Sequence, residues 1–254
     1  MADSRRTSGD IILVITATML LMLATAVLWH DTESKTALLI SEVIIIIPLL
    51  TLALVRRYNI GQTLRWRSAP PSSYLPAFII GLGCGIVFDE FDRIVQFFFP
   101  MNEDVLHSLS TLLRGETAVE WIIIASAVVI VAPLAEETLF RGYIQRLFEK
   151  KKGVTSGIMT AALLFGLLHF NPWWFVQILI LGVFLGVIAW KADSILPAAL
   201  THGVYNCFGL VFINSGEKPL PFYEWGQHVS PLYVGVGALM IYAGFKKLYQ
   251  AGAS

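Results

Sequence analysis

The sequence predicts an all-α integral membrane protein, a bundle of about eight transmembrane helices. Of the 254 residues, 56% are hydrophobic and only 14% charged, whereas soluble domains average about 45–50% apolar and about 25% charged residues. The apolar residues gather in long runs that could cross a hydrocarbon layer of about 30 Å at about 1.5 Å of helix rise per residue. Basic residues lie mainly in alternate connections between these runs.

The expected spans follow one another with short connections. They cover about residues 11–29, 37–55, 75–99, 119–140, 154–170, 173–190, 195–213 and 232–245. The third is irregular because four charged residues interrupt it: Asp89, Glu90, Asp92 and Arg93. Asp89 and Arg93 are spaced i,i+4, so we expect them to pair near the outer interface. No soluble domain is indicated, so residues 1–254 are expected to form a single integral-membrane domain.

The basic residues predict the orientation. With the N-terminus inside, 14 of them lie in inside segments: Arg5, Arg6, Arg56, Arg57, Arg65, Arg67, Arg141, Arg146, Lys150, Lys151, Lys152, Lys191, Lys246 and Lys247. The outside loops hold only Lys35, Arg114 and Lys218. This asymmetry follows the positive-inside rule and predicts cytoplasmic termini. The basic linker 56–74 is expected to face anionic headgroups.

Composition and cysteine spacing also limit the kinds of binding partner that the sequence indicates. The formal net charge is zero, which gives no global attraction to nucleic acid. Cys84 and Cys207 lack C-x-x-C spacing, so neither a disulfide framework nor a thiolate metal site is indicated. The expected partners are the lipid bilayer and a membrane-associated peptide or protein.

Ionisable side chains within apolar spans are costly and mark candidate functional sites. The first group is E-E-x-x-x-R, formed by Glu136, Glu137 and Arg141. Glu137 and Arg141 are spaced i,i+4 with the acid first, which favours a pair along one helix face. Glu136 lies about 100° further round the helix and is expected to stay unpaired. Taken alone, all three could also extend their charges into the headgroups.

Two further groups lie on later spans. Phe165 and His169 form F-x-x-x-H, and His202 and Asn206 form H-x-x-x-N. The i,i+4 spacing of His202 and Asn206 places them on one helix face. Taken singly, these residues could equally be packed or form interhelical hydrogen bonds that hold the bundle together.

Considered together, the groups are expected to converge. Residues 150–153 (K-K-K-G) are expected to form a turn, because Gly153 is suited to end a helix. Glu136 and His169 are equidistant from that turn, so an antiparallel hairpin places them level, roughly 15 Å deep. A helix that starts near Asp193 and Ser194 would place His202 roughly 12 Å deep. One carboxylate, two imidazoles and one amide are therefore predicted at a similar depth.

This constellation suits peptide hydrolysis. A carboxylate beside an imidazole, here Glu136 with His169, can take a proton from an attacking water. A second imidazole and an amide, His202 and Asn206, can donate hydrogen bonds to the developing oxyanion. The sequence contains neither H-E-x-x-H nor G-x-S-x-G, the signatures of zinc proteases and serine hydrolases. No cofactor is predicted.

The three ordered motifs resemble those of the CAAX prenyl protease type 2 and bacteriocin-processing (CPBP) family, which are glutamic intramembrane endopeptidases. The resemblance covers about residues 119–213 and includes Ser194, Ile195 and Leu196. It implies that Glu136 with His169 activates water and that His202 with Asn206 holds the oxyanion. Glu137, Arg141 and Phe165 take supporting places in the motifs. The chain looks more like the prokaryotic branches, which implies a prokaryotic plasma membrane.

Two alternatives stay open on the sequence. The same fold could serve a non-catalytic immunity or scaffold protein. Alternatively, Glu136, His169 and His202 could be ligands of a metal-dependent hydrolase, because two histidines and a carboxylate suit zinc.

Overall fold

The computed structural model describes residues 8–29, 34–215 and 222–251. Arg5, Arg6 and Lys218, which entered the charge count, lie outside these residues. The helices of the described part are α1 (Ser8–Leu28), α2 (Lys35–Val55), α3 (Ile60–Thr63), α4 (Tyr74–Phe98), α5 (Glu103–Leu113), α6 (Ala118–Lys152), α7 (Val154–Leu168), α8 (Phe175–Ala192), α9 (Leu196–Asn214) and α10 (Pro231–Ala251). A 3-10 turn covers Pro71–Ser73, and strands β1 (Glu224–Trp225) and β2 (His228–Val229) form an antiparallel hairpin.

The predicted all-α, polytopic fold is confirmed. Within the described residues, six helical segments are long and apolar enough to cross a membrane: Gly9–Leu28, Lys35–Val55, Pro71–Phe98, Ala118–Lys152, Phe175–Ala192 and Leu196–Asn214. The two other expected spans are also helices. However, α7 has only 15 residues, and α10, with 21 residues, is not among those six segments. The orientation of the termini stays a prediction.

Two groups of buried side chains hold the bundle together. One joins α1 and α2 to α6 and α7, with Leu49, Tyr143 and Phe165 among its members. The other joins α4 to α8, α9 and α10 around Ile80 and Leu185. Helix α8 contributes to both groups, so it links the two halves of the molecule.

Helix α6 is interrupted by two π-helical stretches, Ser126–Val131 and Thr138–Gln145. They flank the α-helical segment Ala132–Glu137, which ends with the two adjacent glutamates. Short π-helical insertions in α-helices occur frequently at functional sites. The expected turn follows α6, where Gly153 has a φ of 90°, a conformation that glycine adopts without steric cost.

The basic linker between α2 and α4 corrects one expectation. Arg65 does not face headgroups, because its side chain is buried and ion-paired with Glu149 at 2.6 Å and Asp193 at 3.1 Å. Arg67 also pairs with Asp193, and the indole Nε1 of Trp66 donates to Thr138 Oγ1 at 2.7 Å. The linker is therefore a fixed part of the bundle that braces the end of α6 against the α8–α9 connection.

The charged residues of α4 anchor the β-hairpin segment. The predicted pair of Asp89 and Arg93 is confirmed, with Nε and Oδ1 3.3 Å apart. Arg93 also pairs with Glu224 at 2.9 Å, and the Tyr223 hydroxyl donates to Asp89 Oδ2 at 2.9 Å. Glu90 contacts His228 Nδ1 at 2.8 Å. These charges therefore position the segment that precedes α10.

Candidate active site

The ion pair between Glu137 and Arg141 forms as predicted. Arg141 Nη1 lies 2.8 Å from Glu137 Oε1, and both side chains are completely buried. Arg141 Nη2 donates to the carbonyl of Gly182 on α8 at 3.0 Å. Its guanidinium also lies 4.4 Å from the centroid of the Phe165 ring, within the range of a cation–π interaction. Arg141 thus ties α6 to both α7 and α8.

His202 is bound by the same carboxylate. Its Nδ1 lies 3.1 Å from Glu137 Oε1, and because a carboxylate only accepts, Nδ1 is the donor. Its Nε2 lies 3.7 Å from Glu136 Oε2. The sequence did not predict the contact with Glu137, which fixes the ring so that Nε2 faces Glu136.

Glu136 is the less constrained of the two glutamates. Its side chain is 13% exposed, whereas that of Glu137 is 0% exposed. Glu136 Oε2 is a buried atom that accepts no hydrogen bond from any described residue. A buried carboxylate oxygen without a partner is costly and is therefore a site where a water molecule or substrate group would bind favourably.

Phe165 lies between the two histidines. Its ring centroid is 4.6 Å from that of His169 and 5.7 Å from that of His202. His169 Nδ1 lies 2.7 Å from the Phe165 carbonyl oxygen, which can only accept, so Nε2 of a neutral His169 ring is left as an acceptor. His169 is exposed. The pairing of Glu136 with His169 around one water molecule, which the sequence leads us to expect, stays a prediction.

Asn206 contacts the first π-helical stretch of α6. The amide of Ala132 donates to the Ala127 carbonyl. In a regular α-helix it would donate to the Val128 carbonyl, which is therefore left without this helical hydrogen bond. Asn206 Nδ2 donates to the Val128 carbonyl at 2.9 Å. One amide hydrogen of Asn206 is used in this way, and the second is available for another acceptor.

The approach of α9 to α6 also requires a small residue. A Cβ atom on Gly203 would lie 2.4 Å from the carbonyl oxygen of Val129, closer than van der Waals contact allows. Pro133 has no N–H with which to bond that carbonyl in the usual helical way. Gly203 therefore lets α9 lie near enough to α6 for His202 and Asn206 to reach it.

Cleavage at Glu136 would need a polar cavity that admits the substrate, and the metal-dependent alternative would need three ligands around one point. Two cavities in the described part of the chain are lined by other residues, so a cavity around Glu136 and His169 stays a prediction. In the same part of the chain, no group of three His, Cys, Asp or Glu side chains is arranged to hold a metal ion. The donors present therefore do not fit the three protein ligands of a catalytic zinc centre.

Comparisons with known proteins agree with the resemblance seen in the motifs. Residues 118–208 match the family model described as "Type II CAAX prenyl endopeptidase Rce1-like". UPF0177 protein YxdF of Lactococcus lactis subsp. lactis (strain IL1403) is 32% identical over 97 residues, which are 37% of this chain and 53% of that protein. The chain thus spans about half the length of this curated relative. No solved structure matches with comparable significance.

Proposed function

We propose that this protein is an intramembrane glutamic endopeptidase that cleaves membrane-associated peptides. The observation that supports it best is the pair of adjacent glutamates with different surroundings. Oε1 of the fully buried Glu137 is held by Arg141 and His202. Glu136 is partly exposed, faces the same histidine and is not held in this way, although Oε2 of both carboxylates is buried and accepts no hydrogen bond from a described residue. Both lie within the segment that matches the endopeptidase model.

In the proposed first step, Glu136 acts as the base with the help of His169. A water molecule held by Glu136 and by Nε2 of His169 attacks the carbonyl carbon of the scissile bond, and its proton passes to Glu136. A new C–O bond forms and the carbonyl electron pair moves to oxygen. When the intermediate collapses, the C–N bond breaks and the proton is delivered to the leaving amine.

His202 and Asn206 are the proposed oxyanion donors. A protonated His202 can donate from both nitrogens, from Nδ1 to Glu137 and from Nε2 to the oxyanion. The second amide hydrogen of Asn206 can donate to the same atom. Because Glu137 and the Val128 carbonyl already hold these side chains, the donors need little reorganisation during the reaction.

The long apolar helices are those of a multi-pass integral membrane protein, which supports a substrate that reaches the site from the membrane. We propose that the membrane is a prokaryotic plasma membrane and that the substrate is itself anchored in it. A low local dielectric among apolar helices would strengthen hydrogen bonds to a developing charge.

The function is tested by reconstituting the purified protein into liposomes with a defined mixture of membrane-anchored peptides. New termini are identified by mass spectrometry, with and without 1,10-phenanthroline, and the metal content of the protein is measured. We expect cleavage that the chelator leaves unchanged. Loss of cleavage that zinc restores would support the metal-dependent alternative, and a folded protein that cleaves no peptide would support the non-catalytic one.

Removing either oxyanion donor should slow catalysis without unfolding the protein. For His202→Ala and for Asn206→Ala we expect cleavage rates lowered by about 10²–10³-fold. Substitution of Asn214 to Ala is a suitable control, because its amide bonds to Leu113 and Leu210 carbonyls at the end of α9. Rates equal to the parent in both donor variants would show that these residues are structural only.

A further inference from the structure

A cavity of about 310 Å³ lies between α1, α2 and α5. It is formed at the C-terminal end of α1 and the N-terminal end of α2, and most of its walls are apolar, with Met22, Ile45 and Leu112 among them. Ligand pockets have volumes of about 300–1,000 Å³. This cavity therefore has room for one long side chain rather than for a whole peptide.

The polar side chains of this cavity differ in their hydrogen bonding. Thr25 and Ser41 donate to carbonyls of their own helices, at 2.8 and 2.7 Å, and Ser34 Oγ accepts from the amide of Ala37. Glu42 is different, because its Oε2 is buried and accepts no hydrogen bond from any described residue. Glu42 is therefore a cavity residue whose buried oxygen lacks a hydrogen-bond donor among the described residues.

Lys35, the described cation nearest to Glu42 along α2, does not meet this need. Lys35 lies two turns before Glu42 on α2, but its Nζ donates to the carbonyl of Thr111 on α5. An ionised carboxylate buried without a cation or a donor is so unfavourable that the group takes up a proton instead, and a cation beside it would favour its ionised form. Since no described residue supplies such a cation or donor to Glu42 Oε2, a cationic group of a bound molecule would find a partner there.

Glu42 also lies beside the candidate active site. Helix α2 packs against the segment Ala132–Glu137 of α6, and the carboxylates of Glu42 and Glu136 are close enough to interact electrostatically. A side chain that fills the cavity and reaches Glu42 would therefore belong to a substrate residue close to the bond that is cleaved beside Glu136.

We propose that this cavity is a specificity subsite for a lysine or arginine side chain of the substrate, with Glu42 as its charge partner. The inference rests on the proposed function. The methylene stem of such a side chain covers apolar walls while its charged end seeks a polar partner. Hydrogen bonds between a cation and a carboxylate are stronger than neutral ones. Glu42 is thus assigned to substrate selection, and Glu136 to the reaction.

The first test compares two peptides that differ only in one residue near the cleaved bond, lysine in one and norleucine in the other. Norleucine keeps most of the apolar stem and lacks the charge. We expect the parent protein to cleave the lysine peptide at least about tenfold more efficiently, since hydrogen bonds between charged groups are stronger than neutral ones. Glu42→Gln should remove this preference and still cleave the norleucine peptide.

Two further variants separate the roles of the cavity volume and of the charge of Glu42. Ala37→Leu should reduce the preference for lysine by filling the cavity while Glu42 is kept, since Ala37 lines the cavity. Glu103→Gln removes an exposed carboxylate outside the cavity and should keep the preference. A preference for lysine that persists in a folded Glu42→Gln protein would overturn the assignment.

The second test measures binding without catalysis. Butylammonium, which reproduces the end of a lysine side chain, should raise the melting temperature of the parent more than butan-1-ol does, and this difference should vanish in Glu42→Gln. If butylammonium acts in this way but no peptide is cleaved, Glu42 binds a cation in this cavity, and both the protease proposal and the role of the cavity as a substrate subsite fail. If peptides are cleaved without a lysine preference and without Glu42-dependent binding, the subsite is wrong and the protease proposal stands.

Discussion

Replacing Glu136 by Gln is expected to abolish peptide cleavage while the protein stays folded. The substitution keeps the size of the side chain and removes its ability to take a proton. General base catalysis alone contributes about 10²–10⁴-fold to a rate, so the loss should be at least of that size. The assay is cleavage of one defined peptide in liposomes, with the melting temperature and monodispersity of each variant measured in parallel.

The matched control for this variant is the same substitution at the neighbouring residue, Glu137. Glu137→Gln also removes one carboxylate, but it does so at a completely buried position that holds Arg141 and His202. We therefore expect its main effect on stability, with a smaller loss of activity through a less well oriented His202. Full activity in Glu136→Gln together with none in a well-folded Glu137→Gln would reverse the roles of the two glutamates.

Replacing Arg141 by Met is expected to lower stability severely. The change removes the buried ion pair with Glu137, the hydrogen bond to Gly182 and the cation–π contact with Phe165. Breaking a buried ion pair by deleting one partner costs about 3–5 kcal/mol, because the remaining charge is buried and uncompensated. The expected result is a large fall in folded yield and in melting temperature.

A second substitution tests this explanation of the Arg141 effect. In the double variant Arg141→Met, Glu137→Gln the uncompensated charge is gone, so part of the lost stability should return. His202 keeps a possible acceptor in the glutamine carbonyl. If the double variant were less stable than Arg141→Met alone, the main role of Arg141 would lie in its contacts with Gly182 and Phe165 rather than in neutralising Glu137.

Local patterns in the sequence were sufficient to predict several features of the structure. The i,i+4 spacing of Glu137 and Arg141 predicted their pair, and that of Asp89 and Arg93 predicted theirs. The position of Gly153 predicted the turn between α6 and α7. These features depend on contacts between residues close in the chain, where helical geometry alone decides which side chains meet.

Contacts between helices were not predictable in the same way. The hydrogen bond from His202 to Glu137 depends on how α6 is rotated relative to α9, and the two π-helical stretches of α6 change that rotation. The burial of Arg65 depends on Glu149 and Asp193, which are distant in sequence. In contrast, Glu42 could have been identified from the sequence as a candidate functional residue, because it is an ionisable residue within the apolar run of the second span.

The central claim is that Glu136 and His169 together hold the attacking water, and an experimental structure that resolves ordered waters tests it most directly. We predict a water molecule within hydrogen-bonding distance of both the Glu136 carboxylate and Nε2 of His169. His202 Nε2 should lie on the side where the oxyanion would form. Side chains of Glu136 and His169 that point to different surfaces, with no water shared between them, would contradict the proposed mechanism.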